Sequence, residues 1–307
     1  MKRNTETGRK KIIDVPMCTG VRCRMLANAG LILEGGGMKG IYTAGVLDAF
    51  MEKGIEFSSC YGVSAGASVL CSYMSAQPER SYHIFVDYLD SRDYCSIHSL
   101  LTSGDLFGAY MSYDLIPNYL NPFDYDRAAQ YPGRCYAVAT DIRTGKPRYF
   151  RINDVKKSMK AIQASCSLPL VSRNVMIGGE PYLDGGLSDS IPVRRSIADG
   201  NKKNVVIMNK EIGYIRQPSE NQQLIRIRYA AYPKVYECIK ERAINYNSTV
   251  DFIEEEEMKG NMFVIRPAVS LDVDRIEKNP QKLQSMYEAG KSDGEARYDA
   301  MKAYLES

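Results

Sequence analysis

The chain has 307 residues, of which 44% are hydrophobic and 25% charged, and its formal net charge is +3 at pH 7. A chain of this length can bury a large core as one α/β domain. The small net charge, without a basic stripe interleaved with aromatic residues, excludes nucleic acid as an expected partner. The eight cysteines show neither a CxxC pair nor metal-ligand spacing, so we expect reduced thiols, no metal site and a cytoplasmic protein.

The N-terminal segment is polar and basic. Five lysines and arginines lie within the first eleven residues, and no apolar stretch typical of a secretory signal follows them. No run of residues approaches the length of a membrane span. We therefore expect residues 1–28 to form a flexible arm before a single domain, residues 29–307. Attraction of that arm to an anionic membrane surface, as a peripheral contact, stays open.

The first regular element is the short apolar run Ala29–Glu34, which is typical of a buried parallel strand. The glycine-rich loop Gly35–Gly40 follows it and leads into a helical pattern that stops at Gly54. Such a loop presents bare N–H groups beside a helix start, where negative charge is stabilised. Its GxGxxG spacing also fits a dinucleotide site, but the acid that should close the next strand, Glu56, opens it instead.

The second motif is Gly62-Val63-Ser64-Ala65-Gly66, which follows the strand-like Phe57–Val63. A serine on a tight strand-to-helix turn needs small neighbours, which Gly62, Ala65 and Gly66 supply. A buried serine in an ordinary turn is the alternative. An interpretation that uses both motifs places the loop N–H groups opposite Ser64, as an oxyanion hole for acyl transfer.

The rest of the chain alternates strands and helices. Residues 106–125 are rich in apolar and aromatic side chains, which suit either core packing or the wall or lid of an acyl-chain groove. The core motifs occupy residues 29–209, and residues 210–307 are mostly helical. We predict helices at 80–89, 155–164, 232–248, 249–259 and 280–305, a hairpin at 134–150, and strands at 171–177, 181–183, 204–208 and 262–265.

The group that would activate Ser64 is not a histidine. The only two, His83 and His98, lie between Ser64 and Asp184, an order that none of the known serine triads uses. A carboxylate at a strand end is then the expected base, with Asp184 first, and Asp141 and Asp189 after it. An aspartate with an ordinary pKa near 3.9 is a weak base, and burial beside the serine would raise that pKa.

Three motifs, Glu34–Gly40, Gly62–Gly66 and Asp184–Gly186, together resemble the patatin-like phospholipases in order and spacing. The resemblance implies a three-layer α/β/α fold with a mostly parallel central sheet and a serine nucleophile elbow. It also implies a Ser-Asp dyad without metal or cofactor that hydrolyses acyl esters of lipids.

Site roles follow from the same resemblance, position by position. Ser64 would be the nucleophile and Asp184 the proton acceptor. Backbone N–H groups of Gly35, Gly36, Gly37 and Ala65 would form the oxyanion hole. Residues that would support the motifs are Lys39, Gly40, Gly62, Gly66, Gly185 and Gly186.

This chain departs from the family pattern at two positions. Glu34 stands where aspartate is usual, and Lys39 stands where arginine is commoner, without arginine's planar fork. We expect a lipid acyl hydrolase that acts on phospholipid, lysophospholipid or another acyl ester. The alternatives are a catalytically silent lipid-binding protein on the same fold and, less favoured, a nucleotide-binding protein that uses the GxGxxG loop.

Overall fold

A computed structural model describes residues 24–307, which form a central eight-stranded sheet with helices on both sides. The strands are β1 Met25–Leu33, β2 Ile55–Val63, β3 Arg134–Asp141, β4 Pro147–Arg151, β5 Val175–Ile177, β6 Glu180–Asp184, β7 Asn204–Ile207 and β8 Met262–Ile265. Their order across the sheet is β5-β6-β3-β2-β1-β7-β8, and β4 pairs with β3.

Helices connect and cover the strands. The α-helices are α1 Gly40–Lys53, α2 Ala65–Met74, α3 Arg80–Val86, α4 Ile97–Ser103, α5 Tyr125–Ala129, α6 Val155–Ser165, α7 Val193–Ala198, α8 Gln222–Arg228, α9 Pro233–Met258 and α10 Pro280–Glu306. Short 3₁₀ turns span Gly37–Lys39 and Gly185–Leu187, and a π-helix spans Met111–Leu120. Within residues 24–307, no helix combines the length and the apolar character needed to cross a membrane.

The sheet is buried on both faces, as the side chains of β1 show. Leu31 and Leu33 pack into the cluster that contains side chains of α1, α2, α6 and α10. Ile32, between them, packs into a second cluster with side chains of α7 and α9. Because alternate residues of a strand point to opposite faces, helices cover both sides of the sheet. The predicted three-layer α/β fold is therefore confirmed.

The central strands are parallel, while the strands at one edge are antiparallel. The strand β2 pairs in parallel with β1 and β3, and β7 pairs in parallel with β1 and β8. The strands β4, β5 and β6 run antiparallel to their neighbours. The prediction of a mostly parallel sheet is thus confirmed for its centre.

Several element bounds differ from those that the sequence predicts. The strand β1 begins at Met25, inside the segment expected to be an arm, and residues 1–23 lie outside the described part of the chain. The strand expected over 171–177 forms only at Val175–Ile177, and the helix expected over 80–89 ends at Val86.

One prediction in the helical C-terminal part is wrong. The two helices expected at 232–248 and 249–259 are the single helix α9, which runs without a break across Ser248 and Thr249. The Thr249 hydroxyl donates to the carbonyl oxygen of Asn245 at 2.8 Å, one turn back in the same helix. A polar residue that bonds its own helix in this way does not end it.

Candidate active site

Ser64 is the single residue between the end of β2 and the start of α2. Ser64 has φ 53° and ψ −124°, a conformation outside the regions that L-residues favour. Its N–H donates to the Ser165 hydroxyl at 2.9 Å. A Cβ atom on Gly62 would lie 2.6 Å from the Cα atom of Ala67, and one on Gly66 would lie 2.7 Å from the carbonyl oxygen of Leu33. The turn therefore needs glycine on both sides of the serine.

The Ser64 hydroxyl and the Asp184 carboxylate meet in the fold although 120 positions separate them in the chain. Ser64 Oγ donates to Asp184 Oδ2 at 2.6 Å. Both side chains are buried, with 6% and 2% of their residue surface exposed. The second carboxylate oxygen, Oδ1, accepts from the N–H of Gly186 at 2.7 Å. The carboxylate is held on both oxygens, and one of them points at the serine.

Strand register explains this meeting. Val63, the residue before Ser64, pairs with Val138 of β3, and the next residue of β3, Ala139, pairs with Asp184. Because β6 runs antiparallel to β3 at the carboxyl end of that strand, its last residue returns toward the end of β2. A Cβ atom on Gly185 would collide with the carbonyl oxygen of Val138, so only glycine lets the chain turn here.

Burial and neighbouring charges oppose each other at Asp184. Burial raises the pKa of this carboxyl above its ordinary value, and it is the largest effect. The hydrogen bond from Ser64, the charge of Arg242, the Gly186 N–H and the charge of Arg275 each lower it. The net direction is upward, which brings the carboxylate closer to the strength of a useful base at neutral pH.

The glycine loop packs against the serine turn. A Cβ atom on Gly35 would lie 3.1 Å from the Cβ atom of Ser64, and one on Gly40 would lie 2.5 Å from the Cβ atom of Ala65. Gly37 has φ +60°, which favours glycine. Among residues 24–307, the N–H groups of Gly35, Gly36, Gly37 and Ala65 find no hydrogen-bond acceptor. Four free donors thus lie in the segments that flank Ser64.

Glu34 fixes this loop to the far half of the chain. Its Oε1 accepts from the Tyr246 hydroxyl at 2.8 Å, and its Oε2 accepts from the N–H of Asn209 at 2.7 Å. A Cβ atom on Gly36 would lie 2.5 Å from the Asn209 side-chain amide. The glutamate reaches partners 175 and 212 positions away, and sequence reasoning noted the residue but missed this role.

The other predicted base candidates lie in local structural contacts. Asp141 Oδ1 accepts from the N–H of Arg143 at 2.9 Å, in the turn between β3 and β4. Asp189 Oδ2 accepts from the Tyr149 hydroxyl at 2.7 Å, and burial raises the pKa of Asp189 to about 6. Neither carboxylate donates or accepts a hydrogen bond with Ser64.

Both histidines and the nucleotide-site candidate lie away from the serine. His83 and His98 have half-exposed side chains and face Asp87 and Asp93. Glu56 accepts from Arg127 at 2.5 Å near the start of β2, at the opposite end of that strand from Ser64. Because β1 and β2 are parallel, the glycine loop after β1 lies at the same end of the sheet as Ser64 and away from Glu56, which argues against the nucleotide alternative. Lys39, the residue before α1, forms no salt bridge with any residue in 24–307.

A cavity of about 140 Å³ opens beside Ser64 and is lined mainly by apolar side chains. One wall is α6, which carries Ser165 at the end nearest Ser64 and the lining residues Ile162, Met159 and Val155 further along. At 1.5 Å per residue, Val155 lies about 15 Å along the helix from Ser165. Other lining residues are Gly37, Ala65, Val69, Ile84, Phe85, Tyr94, Phe107, Tyr113, Pro117, Phe123 and Leu168.

The apolar segment 106–125 serves both of its predicted purposes. Leu106, Met111 and Ile116 are buried in a small hydrophobic cluster. Phe107 and Tyr113 line the cavity. The segment is therefore part core and part cavity wall, and the alternatives proposed from the sequence do not exclude each other.

A family model described as patatin-like phospholipase matches residues 31–197, more than half of the chain. The chain belongs to the patatin-like phospholipase family. Ser64, Asp184 and the glycine loop all lie inside this match, and family membership supports hydrolysis of lipid esters as the class of activity. A second family model, described as a domain of unknown function (DUF6363), matches residues 232–306, which contain α9, β8 and α10.

The chain is also similar to proteins from bacteria and from a virus. The chain is 28% identical to the uncharacterized protein YjjU of Escherichia coli, over 86% of this chain and 75% of that protein. It is 25% identical to the probable lipid hydrolase 463L of Invertebrate iridescent virus 6, over 57% of this chain and 65% of that protein. An uncharacterized NTE family protein of Mycobacterium tuberculosis is also 25% identical, over 58% of this patatin-like chain and 48% of its own length.

Among solved structures, VipD from Legionella pneumophila overlaps 90% of this chain and 68% of its own, with 14% identity and a TM-score of 0.43. So loose an overlap carries no argument about function. Within residues 24–307, the histidine, cysteine, aspartate and glutamate side chains form no group of three or more that could hold a metal ion.

Proposed function

We propose that this patatin-like chain is a serine acyl hydrolase that cleaves carboxylic esters of lipids with a Ser64–Asp184 dyad. The observation that carries the proposal is the 2.6 Å hydrogen bond between two buried side chains at the edge of an apolar cavity. A hydroxyl bonded to a fixed carboxylate is the arrangement that nucleophilic catalysis requires. The cavity provides a place for an acyl chain.

The first chemical step is attack on the ester. Ser64 Oγ forms a bond to the carbonyl carbon while its proton passes to Asp184 Oδ2, and the carbonyl π electrons move onto the carbonyl oxygen. The free N–H groups of Gly35, Gly36, Gly37 and Ala65 stabilise that oxyanion. Such donors contribute about 2.7–4 kcal/mol each in other acyl-transfer enzymes.

The second step releases the alcohol and leaves an acyl-enzyme. The oxyanion re-forms the carbonyl, the bond to the alcohol oxygen breaks, and that oxygen takes the proton held by Asp184. Water then gives a proton to Asp184 as its oxygen attacks the acyl carbon. When the bond to Ser64 Oγ breaks, the serine takes the proton back, and a fatty acid leaves. No metal or cofactor takes part in this sequence.

Exposed apolar side chains support contact with a lipid surface. Ile97 and Leu101 on α4 are exposed, as are Tyr110 and Tyr119 beside and within the π-helix. The same π-helix contributes Tyr113 to the cavity wall. Exposed apolar patches are typical of interaction surfaces. We therefore include peripheral contact with membrane lipid, through this side of the molecule, in the proposed function.

The proposal is tested with a fluorophosphonate probe, which reacts with activated serines. Wild-type protein should gain the mass of one probe, and Ser64→Ala should gain none. Ser68→Ala, which changes a nearby serine that also lines the cavity, should label like the wild type. Equal labelling of Ser64→Ala would contradict the nucleophile assignment. Vesicle binding without labelling or ester hydrolysis would instead favour a silent lipid-binding protein.

A further inference from the structure

Four cationic side chains near the dyad and the glycine loop form no ion pair with a carboxylate of residues 24–307. They are Lys210, Arg216, Arg242 and Arg275. Lys210 and Arg216 are each only 8% exposed. In the part of the chain that the structure describes, none of the four forms a salt bridge. Two of them, Arg242 and Arg275, lie in the segment matched by the domain of unknown function.

Arg242 and Arg275 lie next to the catalytic groups. A Cβ atom on Gly186 would lie 3.0 Å from Arg242 Nη2 and 3.0 Å from Asp184 Oδ1, so that guanidinium and that carboxylate approach the same point. The carbonyl oxygen of Arg275 accepts from the N–H of Met38 at 3.0 Å, which fixes Arg275 to the glycine loop. Arg275 is also exposed, so the cluster can be reached from solvent.

Arg216 is held from outside the dyad. Its guanidinium lies 4.1 Å from the centre of the Tyr246 ring, and its backbone N–H donates to the side chain of Asn247 at 2.9 Å. Tyr246 is the residue that donates to Glu34. Residues of α9 therefore position the Arg216 guanidinium, which packs on Tyr246, the residue that anchors the glycine loop through Glu34.

The cations act on each other. Burial, together with repulsion from Arg216 and Arg275, lowers the pKa of Arg242 to about 9. Burial also lowers the pKa of Lys210 to about 7, and the charges of Arg216 and Arg275 contribute, while Glu34 raises it. Like charges held this closely destabilise one another unless an anion lies between them.

The carboxylates nearby form no direct ion pair with these cations among residues 24–307. Asp184 uses its two oxygens to accept from Ser64 and Gly186, and Glu34 uses its two to accept from Tyr246 and Asn209. The Nε atoms of Arg216 and Arg242 are buried and have no hydrogen-bond partner among residues 24–307. A buried donor without a partner costs free energy that a ligand can recover.

We propose that Arg216, Arg242 and Arg275 bind a phosphate group. Phosphate oxygens match the fork geometry of guanidinium groups, and such charge-assisted bonds are among the strongest that proteins form. The acyl cavity is lined by α2, α6 and the π-helix, whereas this cluster is carried by α9 and by segments that follow β7 and β8. A lipid held with its acyl chain in the cavity thus presents the alcohol side of its ester to the cluster.

This inference rests on the proposed function when the phosphate belongs to the substrate. The favoured substrate is then an acyl ester whose alcohol part carries a phosphate, such as a lysophospholipid. The same cluster can alternatively take up free inorganic phosphate. The shared chemistry is a phosphate oxyanion, and two measurements separate the two sources.

The first measurement compares two esters with the same acyl chain, a lysophosphatidic acid and a monoacylglycerol. For wild-type protein, kcat/KM should be higher for the phosphate ester. Arg216→Gln should lower that preference by about 10- to 100-fold, the loss expected when a hydrogen bond between charged groups is removed. Arg216→Lys should keep part of the preference. Arg226→Gln, an exposed arginine of α8, should keep all of it.

A purely structural role of Arg216 predicts a different result. Misfolding or a displaced glycine loop would lower hydrolysis of both esters equally. The largest charges that act on Asp184 are those of Arg242 and Arg275, so the acidic limb of the pH profile for monoacylglycerol should move less in Arg216→Gln than in Arg242→Gln. Equal losses on the two esters, with no loss of phosphate binding, would overturn the proposal.

The second measurement is a calorimetric titration with inorganic phosphate. It compares the Ser64→Ala protein with a double variant that carries Ser64→Ala and Arg216→Gln. Binding that Arg216→Gln weakens, together with an unchanged ester preference, assigns the cluster to free phosphate. The absence of both phosphate binding and a preference for the phosphate ester would refute the site. If wild-type protein hydrolyses no ester at all, the proposed function fails, and this titration still decides whether the phosphate site exists.

Discussion

At the scale of single residues, Asp184 combines two properties that seldom occur together. It is buried, which raises its pKa, and it accepts hydrogen bonds on both oxygens, which lowers that pKa. Because burial has the larger effect, ionised Asp184 reduces the stability of the folded state at pH values above the ordinary aspartate pKa. The same ionised form is the one that can take the Ser64 proton. Under the proposed mechanism, activity requires the ionised form of this carboxyl, whereas stability favours the protonated form.

We expect Asp184→Asn to separate the two demands. The amide has nearly the same shape and can still accept from Gly186, so the fold should be retained. Without a proton acceptor, kcat should fall by about 10²- to 10⁴-fold. The melting temperature at pH 7 should be unchanged or higher, because an ionisable group with a raised pKa has been removed. Ester hydrolysis and thermal unfolding, measured on one preparation, check both outcomes.

Asp141→Asn is the matched control for this substitution. Asp141 lies on the neighbouring strand β3 and accepts from backbone N–H groups in the β3–β4 turn, which asparagine can also do. Its activity should match the wild type. If Asp184→Asn retains wild-type hydrolysis, the dyad assignment is wrong, whatever happens to the melting temperature.

At the scale of elements, α6 links the serine turn to the acyl cavity. Its last residue, Ser165, accepts from the N–H of Ser64, and Met159 lines the cavity about 9 Å further along the same helix. Position along α6 therefore corresponds to depth in the cavity. A large side chain at Met159 should shorten the space available to an acyl chain without touching Ser64.

We expect Met159→Trp to change chain-length preference. Hydrolysis of p-nitrophenyl octanoate and longer esters should fall by about tenfold or more, while hydrolysis of p-nitrophenyl acetate stays near the wild-type rate. Ser158→Trp, at the next position on α6 but outside the cavity lining, should not alter the ratio. An equal loss of hydrolysis rate on all esters would show that the substitution displaced α6. It would contradict the correspondence between position along α6 and depth in the cavity.

A second pair of elements, α1 and α10, packs through glycines. A Cβ atom on Gly290 of α10 would collide with the carbonyl oxygen of Tyr42 on α1, and one on Gly45 of α1 would collide with the carbonyl oxygen of Tyr287. These two helices lie so close that backbone meets backbone. The contact joins the segment that carries the glycine loop to the C-terminal helix.

Gly290→Ala should therefore destabilise the fold. Alanine favours a helix over glycine by about 1 kcal/mol, but the clash is with backbone that cannot rotate away. Overpacking of this kind typically costs about 1–3 kcal/mol, so we expect a lower melting temperature. Ser292→Ala, at an exposed position on the same helix, should be neutral or slightly stabilising. A Gly290→Ala protein as stable as the wild type would contradict the close contact.

The elements also show what the sequence could and could not predict. The serine turn and the Asp184 turn were predictable because their glycines encode local backbone geometry. The strand β6 was placed correctly, but its antiparallel direction was not, since five residues carry no signal of direction. The contacts of Glu34 with Tyr246 and Asn209 were not predictable either. They join Glu34 to groups 175 and 212 positions away, and no local sequence pattern predicts a contact over such a separation.

At the scale of the whole molecule, the properties of the dyad depend on residues far from the matched catalytic segment. Arg242 and Arg275 come from the last quarter of the chain, and both lower the pKa of Asp184. In the proposed mechanism Asp184 must be ionised to accept a proton, so we expect its raised pKa to set the pH below which activity is lost. We therefore expect the C-terminal part to help set the pH range in which the proposed dyad works.

We expect Arg242→Gln to move the acidic limb of the pH profile. Removing a charge that lowers the Asp184 pKa lets that pKa rise further, so activity should be lost at a higher pH than in the wild type. The rate on a neutral monoacylglycerol, measured across pH, isolates this effect from any phosphate contact. Arg226→Gln should leave the limb in place. A limb that stays fixed in Arg242→Gln would show that this guanidinium does not act on Asp184.

The bond from Tyr246 to Glu34 has a practical consequence for protein engineering. Glutamate is one methylene longer than the aspartate usual in the family, and its carboxylate accepts a hydrogen bond from the Tyr246 hydroxyl on α9. A chimera that takes only residues 31–197 from this chain would bury the Glu34 carboxylate without the Tyr246 hydroxyl that donates to its Oε1. Chimeras should keep their activity only when Glu34 and Tyr246 are transferred together.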